Sequence, residues 1–481
     1  MSAPDSRVAV TAQVESDFGK LLGVEGLLNP AVKAISIKGQ PGAGKTTLAL
    51  ELIKVAHGGM YVSTRATETL LVKQYKPFAP LIERGAVVIY QPPTTQKAMV
   101  GTFEYEQVRQ GKQISDVTQK VAEIARDRNN ALIVLDSWNS FTRELEDKEL
   151  AKAEQDLLTT VDKSQQKIVF VTEGLELTSV DYLVDAIVAL HDNEHEGRRV
   201  RRIEWMKLRG KEIPQKMYLF TLANGEFRTL PKTQEDPSPP PNFTAQKFKP
   251  IPHSKERYST GNRDLDVLLG GLGRGGVVLL EFGKNVSSRI HLPLTSVIRC
   301  NFLAQGGCCV TIPSAEVLPE RIRQDVFPYL EKQALETSLG VAHFQTTPAD
   351  PWFIKLYGKS FENDQQIFWQ KVNELKAGLD KPCFIYMGID TIEYTYHDLD
   401  IMSQLMVAIQ NVREYRDLIM FGVKSGSQVK HKLSDVSDLH IKIDDLDGAS
   451  ILYLLKPPSG LMHLTYDFSQ GYPTVKLTNI V

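Results

Sequence analysis

A glycine-rich loop between an apolar run and a helical pattern constrains this chain more than any other feature. The apolar run covers residues 34–37, and the helical pattern covers residues 48–56. The loop between them reads Gly39, Gln40, Pro41, Gly42, Ala43, Gly44, Lys45, Thr46 and Thr47. Its glycines let successive backbone N–H groups turn inward around an anion, and the positive end of the following helix adds to that concavity. The loop with its flanking strand and helix is therefore a P-loop, a phosphate-binding motif.

The P-loop predicts the partners of two side chains. Lys45 is expected to contact the β- and γ-phosphates of a nucleotide, and the Thr46 hydroxyl is expected to bind Mg²⁺. Further along the chain the apolar strand 131–135 ends in Asp136. P-loop ATPases place an acidic residue beside Mg²⁺ at the end of such a strand, so Asp136 is the expected Walker B residue and a second metal ligand.

Another apolar strand also ends in polar residues. Residues 168–171 are followed by Thr172 and Glu173. Ligands bind at the carboxyl edge of open α/β sheets, and the sequence places both residues at that edge.

Composition limits the classes of partner. The chain has 481 residues, with 56 basic against 58 acidic ones, so it exceeds one typical domain and has no overall attraction to nucleic acid or anionic membranes. No apolar run approaches the roughly 20 residues of a membrane span, and the N-terminus lacks a signal pattern, which predicts a cytoplasmic protein. The four cysteines lack zinc-ligand spacing and are expected to be buried thiols.

Beyond residue 185 the pattern changes to one typical of antiparallel hairpins. The predicted strands are residues 186–190, 199–205 and 217–221. The basic cluster at 198–202 could contact nucleic acid, but such a cluster is more often a solvated strand face. Lys207 and Arg209 follow, one residue apart, so both point to one side of the chain. Their alternative interpretation is a surface patch.

A proline-rich stretch separates this half of the chain from a second cycle of the same kind. Composition predicts an extended, semi-rigid linker before the new strand at 277–281. The expected organisation is a lead-in over residues 1–30, a P-loop ATPase domain over 31–231, a linker over 232–255 and a second domain over 256–481.

The residues from Ser259 to Glu281 resemble the entry segment of KaiC-family domains of the RecA-like ATPase superfamily, in which the pattern STG, LD, GG, RG precedes the strand into the P-loop. Lys207-Leu208-Arg209-Gly210 matches the basic tetrapeptide of that family. Two such domains in tandem, the second degenerate, are most similar to the archaeal KaiC/GvpD branch. The resemblance implies an α/β fold with two tandem RecA/KaiC-like domains, each a mostly parallel sheet flanked by helices with a C-terminal β-hairpin extension.

The same resemblance implies ligands and roles. It implies that the first domain binds ATP or ADP with Mg²⁺. It also implies that Lys207 and Arg209 reach the γ-phosphate of a neighbouring subunit, as an arginine finger does.

The second domain departs from the family pattern. Residues 283–289 lack the terminal Gly-Lys-Thr of a P-loop, and Pro293 is expected to interrupt the following helix. Asp390 follows a Walker-B-like strand but is expected to be structural without a P-loop beside it. These departures predict a second domain that does not hydrolyse ATP.

The first domain departs at a single place. The strand after its P-loop helix ends in Ser63 and Thr64, where KaiC-like proteins have glutamates that polarise the attacking water. Glu68 could substitute as the catalytic base, although an acid at the start of a helix is an equal alternative. Lys45 and Mg²⁺ alone can support slow hydrolysis, because phosphoryl transfer depends mainly on positioning and charge.

Three functional classes follow from these features. The first is an ATP-binding regulatory or assembly protein with slow hydrolysis, which self-associates through RecA-like edges or controls an unidentified regulatory protein. The alternative is a RecA-like, DNA-stimulated ATPase of recombination or repair, against which the neutral charge argues. The third is autokinase signalling, which needs a phosphate-binding second domain.

Overall fold

The computed structural model describes residues 24–64, 66–92, 114–124, 131–143, 145–164, 166–233, 239–344, 350, 352–376, 381–396 and 401–481. Residues 1–23 of the expected lead-in and residues 234–238 of the expected linker lie outside the described part. The chain divides into two compact units, Met1–Lys232 with Ile480–Val481, and Thr233–Asn479. Within the described residues, no helix is long and apolar enough to cross a membrane.

The first unit is built on one sheet of nine strands. Its strands β1 to β9 are Ala34–Gly39, Gly59–Ser63, Val87–Tyr90, Leu132–Asp136, Lys167–Val171, Ala186–His195, Arg198–Leu208, Met217–Thr221 and Arg228–Thr229. They lie in the order β3-β2-β4-β5-β1-β6-β7-β8-β9. In this order the six strands from β3 to β6 pair in parallel, and the strands from β6 to β9 pair antiparallel. The predicted hairpin extension is therefore the β6–β9 edge of the sheet.

Helices flank this sheet. The α-helices of the first unit are Val24–Leu27, Lys45–Val55, Glu68–Gln74, Ala79–Glu83, 114–124, Trp138–Thr142, Asp147–Ser164 and Ser179–Leu183. Short 3₁₀ turns occupy Lys76–Phe78 and Ala223–Gly225. The strand β1 is buried along its whole length, as expected for a parallel strand covered on both faces.

The second unit repeats this plan. Its strands β10 to β21 are Arg257–Tyr258, Leu272–Gly273, Gly276–Phe282, Cys308–Ile312, Leu339–His343, Phe353–Lys355, Cys383–Gly388, Leu418–Lys424, Leu439–Leu446, Ala449–Lys456, Met462–Asp467 and Thr474–Asn479. Its α-helices are Arg263–Leu269, Leu292–Ala304, Pro319–Gln324, Lys332–Ser338, Phe361–Lys376, Ile389–Thr395, Ile401–Glu414 and Lys430–Val436. Two 3₁₀ turns lie at Ser288–His291 and Phe327–Tyr329.

The strand orders of the two large sheets correspond. The second sheet runs β15-β14-β13-β16-β17-β12-β18-β19-β20-β21. If β12 is aligned with β1, every other strand of the first sheet has a counterpart at the same place in the second sheet, and β15 is an additional edge strand. Parallel pairing again gives way to antiparallel pairing after β18. The predicted fold class, two tandem α/β domains with mostly parallel sheets and hairpin extensions, is confirmed.

One prediction about the second unit is wrong. Pro293 does not interrupt the helix, because it lies in the first turn of Leu292–Ala304, which continues for 13 residues. Proline is tolerated there since the first N–H groups of a helix have no partner inside the helix. The four cysteines are all buried and unpaired by disulfides, as the sequence predicts.

Candidate nucleotide-binding site

The P-loop turns tightly between β1 and the helix Lys45–Val55. Gly42 and Gly44 have φ angles of +80° and +102°, in the region that favours glycine. A Cβ on Gly44 would also meet a methyl carbon of Leu222 at 3.0 Å, whereas a Cβ on Gly42 would meet nothing within 4 Å. The glycine at position 44 is thus required by backbone angle and by packing, and Gly42 is required by angle alone.

The two predicted metal ligands meet. The Thr46 hydroxyl donates a hydrogen bond of 2.7 Å to Oδ2 of Asp136, the last residue of β4. A hydroxyl and a carboxylate are the hard oxygen ligands that Mg²⁺ prefers. The residues therefore fit the metal that the P-loop implies.

Tyr61 is a further member of the site that the sequence did not indicate. Its hydroxyl donates to the same Asp136 oxygen at 2.5 Å, and its ring is buried. Burial and the Asp136 charge raise the pKa of Tyr61 well above its ordinary value, so it stays protonated and continues to donate. In the sequence it sits inside an apolar run and looks like a core residue. Only the pairing of β2 with β4 places it beside Asp136.

The Lys45 ammonium group lies over the loop. Nζ donates to the carbonyl oxygens of Gly39 at 2.7 Å and Gln40 at 3.0 Å. These are neutral acceptors, so a phosphate oxygen in the loop would offer Lys45 a stronger, charge-assisted bond.

A pocket of about 240 Å³ opens beside these groups. The P-loop side of the pocket is formed by residues 41, 42, 45 and 46, and the sheet side by the carboxyl ends of β2, β4 and β5. Ser63 and Thr64 line it at the end of β2, and Glu173 lines it after β5. The pocket thus lies at the edge where parallel α/β sheets bind ligands.

Glu68 does not line this pocket. It is exposed and is the first residue of the helix Glu68–Gln74, whose N-cap residue Thr67 accepts from the Leu70 N–H. A carboxylate in the first turn is favourable at the positive end of a helix. The helix-start interpretation explains this placement, and the catalytic role of Glu68 stays a prediction.

Lys207 and Arg209 also lie away from the pocket of their own chain. Lys207 pairs with Ile187, at the end of β6 opposite the P-loop. Its Nζ donates to the carbonyl oxygens of Asp181 and Tyr182 at 3.1 and 3.3 Å. Arg209, whose side chain is 60% exposed, forms an ion pair with Asp185 at 3.0 Å. A role for this pair at a neighbouring subunit stays a prediction.

The basic cluster at 198–202 is not a uniformly solvated face. Arg201 is buried, and its guanidinium donates to the carbonyl oxygens of Gly42 at 3.1 Å and Ala43 at 3.3 Å. Arg199, which is exposed, pairs with Asp192. Arg201 thus holds the backbone of the P-loop through hydrogen bonds from the hairpin. The sequence did not indicate this, because arginines occupy both faces of the strand and nothing in the sequence distinguishes the buried one.

The corresponding loop of the second unit contacts a side chain of its own unit. Oε2 of Glu316 accepts from the Ser287 hydroxyl at 2.7 Å and from the Ser288 N–H at 3.0 Å. Its other oxygen lies 2.8 Å from Nζ of Lys424, which also donates to the Val286 carbonyl at 3.0 Å. Burial opposes ionisation of Glu316, but these bonds lower its pKa to about 2. A carboxylate thus occupies the anion-binding groups of the loop.

Asp390 does not end a strand. It lies in the helix Ile389–Thr395, and Oδ2 accepts from the Ala315 N–H at 3.0 Å. This contact fits the structural role that the sequence predicts for it.

The fold is that of two tandem RecA-like domains, and the first of them carries a P-loop. Residues 21–234 match the family model described as "ATPase: KaiC". Over nearly its whole length the chain is similar to two proteins of Halobacterium salinarum. It is 24% identical to Protein GvpD2, covering 93% of this chain and 94% of that protein, and 24% identical to Protein GvpD1, covering 94% and 95%. Residues 21–234 are thus similar to KaiC-type domains, and the chain as a whole is similar to the GvpD proteins, as the entry segment and the P-loop predict.

Proposed function

We propose that this chain is an ATP-binding regulatory or assembly protein with one competent nucleotide site, in the first unit, and with slow ATP hydrolysis. The observation that carries the proposal is the contrast between the two loops. The first loop holds Thr46 against Asp136 and opens, together with Lys45, onto a pocket. The second loop directs its anion-binding groups at Glu316.

The first site has the groups that a magnesium nucleotide requires. Backbone N–H groups of the P-loop and Lys45 would bind the phosphates, and Thr46 with Asp136 would hold Mg²⁺. When bound, the metal would supply positive charge that offsets the charge of the phosphates. Tyr61 keeps the Asp136 carboxylate oriented toward Thr46.

The second loop lacks this capacity for two reasons. Its sequence offers no lysine and no threonine at the positions of Lys45 and Thr46. In addition, a phosphate would have to displace Glu316 from Ser287, Ser288 and Lys424, and it would meet the repulsion of that carboxylate. Binding of nucleotide there is therefore disfavoured by charge as well as by missing ligands.

Slow turnover follows from the end of β2. Ser63 and Thr64 line the pocket there, and neutral hydroxyls are poor proton acceptors compared with a carboxylate. A site that binds ATP well and hydrolyses it slowly spends most of its time in the ATP state. That property suits a protein whose nucleotide state controls an assembly or a partner.

Calorimetric titration with Mg·ATP tests the number of sites. We expect one nucleotide per chain, and we expect Lys45→Ala to abolish it. Arg289→Ala is the matched control, because Arg289 stands in the second loop at the position that Lys45 has in the first, and it should leave the stoichiometry at one. Two nucleotides per wild-type chain, or loss of binding in the Arg289 variant, would refute the proposal.

Self-association has its own test. If Lys207 and Arg209 act on a neighbouring subunit, a Lys45→Ala chain supplies an intact basic pair to a Lys207→Ala/Arg209→Ala chain with an intact P-loop. Mixing the two should give ATPase activity above that of either alone, and light scattering should show larger particles with ATP than with ADP. A monomer under ATP, with activity unaffected by the double change, would exclude the trans role.

A further inference from the structure

Glu173 occupies a position between the metal-binding acid and the P-loop. The strand β5 lies between β4 and β1, and its Val171 is aligned with Asp136 on one side and with Ile37 on the other. Glu173 is two residues further on, just past the end of β5. It therefore lies at the carboxyl edge of the sheet, where it lines the same pocket as Lys45, Thr46 and Asp136.

The backbone at Glu173 is fixed to both halves of the site. The next residue, Gly174, exchanges two hydrogen bonds with Gly39 at the start of the P-loop, of 3.0 and 3.2 Å. The Glu173 N–H donates to the side-chain oxygen of Asn139 at 2.7 Å. Asn139 belongs to the helix Trp138–Thr142, which begins just after Asp136. The position of Glu173 relative to the phosphate-binding loop and the metal-binding acid is thereby set from two sides.

The pocket has few groups that can accept a proton. Among the described residues that line it, two carry carboxylates, Asp136 and Glu173. Asp136 accepts from both Thr46 and Tyr61 through one oxygen, an arrangement suited to holding a metal. Glu173 is the remaining acid that faces the pocket.

On the basis of the proposed function, we propose that Glu173 positions the water that attacks the γ-phosphate and accepts its proton. The water oxygen forms a bond to the γ-phosphorus while the bond from that phosphorus to the β–γ bridging oxygen breaks. The leaving electron pair stays on ADP, and the water proton passes to the Glu173 carboxylate, which then releases it to solvent. The slow hydrolysis of the proposed function then depends on this carboxylate after β5, since the end of β2 offers none.

The test compares full-length variants under saturating Mg·ATP. Glu173→Gln should lower kcat by about a hundredfold or more, the usual contribution of a general base, while ATP affinity and the melting temperature stay at wild-type values. Glu173→Asp keeps the charge on a shorter side chain, and its kcat should lie between those of the wild type and Glu173→Gln. Glu176→Gln is the matched control, since it removes a nearby exposed carboxylate that does not line the pocket, and it should keep the wild-type kcat.

The outcomes separate this inference from the proposed function. Wild-type turnover that survives Glu173→Gln would overturn the role of Glu173 and leave the proposed function standing. A loss of kcat in Glu68→Gln with none in Glu173→Gln would assign the base to Glu68. If the wild-type chain binds Mg·ATP but releases no phosphate, both the hydrolysis and the role of Glu173 are wrong.

Discussion

The most demanding prediction concerns the buried ion pair behind the P-loop. Lys38 is the residue before Gly39, and its side chain is fully buried. Its Nζ lies 2.5 Å from Oδ2 of Asp181 and 3.4 Å from the Thr172 hydroxyl. The same Asp181 oxygen also accepts from the N–H and hydroxyl of Thr178. Lys38→Met would keep most of the side-chain volume and remove the charge, which leaves a buried carboxylate without its cation.

The expected loss is large because both partners are buried. Removing one member of a buried ion pair costs about 3–5 kcal/mol. A unit of this size loses about 2–4 °C of melting temperature per kcal/mol, so the transition should fall by about 6–20 °C. Lys54→Met is the matched control. Lys54 pairs with Glu51 and Glu226 but is 32% exposed, and such a pair contributes at most about 1 kcal/mol.

Tryptophan fluorescence can report the first unit alone. The chain has four tryptophans, and Trp138 and Trp205 are buried in the first unit. Replacing Trp352 and Trp369 by phenylalanine removes the signal of the second unit. Urea unfolding at pH 7 then measures the free energy of unfolding of the first unit with and without Lys38.

The pH dependence gives a second check. Burial raises the pKa of Asp181, but bonds from Lys38 and its other partners outweigh this and hold the pKa below its ordinary value. A depressed carboxylate pKa stabilises the fold above the unfolded value of about 3.9, and this contribution disappears as the pH falls through the folded pKa. In the Lys38→Met variant, protonation of Asp181 removes the unpaired buried charge. The difference in the free energy of unfolding between wild type and variant should therefore shrink as the pH is lowered from 7 toward 4. A deficit below about 1 kcal/mol at pH 7 would refute the argument.

Three further predictions concern single side chains. Asp136→Asn should leave the unliganded melting temperature nearly unchanged and should remove the Mg²⁺-dependent part of the stabilisation by ATP, measured by thermal shift; unfolding without ligand would show a structural role instead. Arg201→Met removes the donor to two P-loop carbonyls and should weaken ATP binding by about 1.5–3 kcal/mol in calorimetry, whereas Arg199→Met should not. Glu316→Gln should lower the free energy of unfolding of the second unit by less than about 1 kcal/mol, since the Glu316 side chain is 39% exposed. Because bonds from Lys424 and Ser287 lower the Glu316 pKa to about 2 against the opposing effect of burial, that difference should disappear as the pH falls from about 4 toward 2.

The P-loop, the proximity of Thr46 to Asp136 and the fold class could be predicted because their signals are local. A glycine pattern fixes the backbone of the loop, and an apolar run that ends in an acid marks Asp136. The hairpin strands after residue 185 follow from their short runs and polar turns. A second entry segment and strand after the linker predict the repeated domain, and the two sheets have matching strand orders.

The missed features depend on contacts between distant segments. Tyr61 reaches Asp136 across a strand pair, and Arg201 reaches the P-loop from a hairpin. Glu316 follows a different strand from the loop that it contacts. In each case the residue type fits a common alternative, a core aromatic, a solvated arginine or a surface acid. Only the tertiary structure distinguishes the two interpretations.

The two loops explain why one sequence can retain a fold twice and a ligand site once. A loop with inward N–H groups needs an anion, because unpaired polar groups lose the hydrogen bonds that water would give them. In the second unit Glu316 supplies that anion from within the unit, next to Lys424. Its stability is then independent of nucleotide. Under the proposed function the anion of the first loop is a nucleotide phosphate, so bound ATP should add stability that grows with the logarithm of its concentration. The proposed function therefore predicts that ATP raises the stability of the first unit, whereas the bonds of Glu316 in the second loop form without nucleotide.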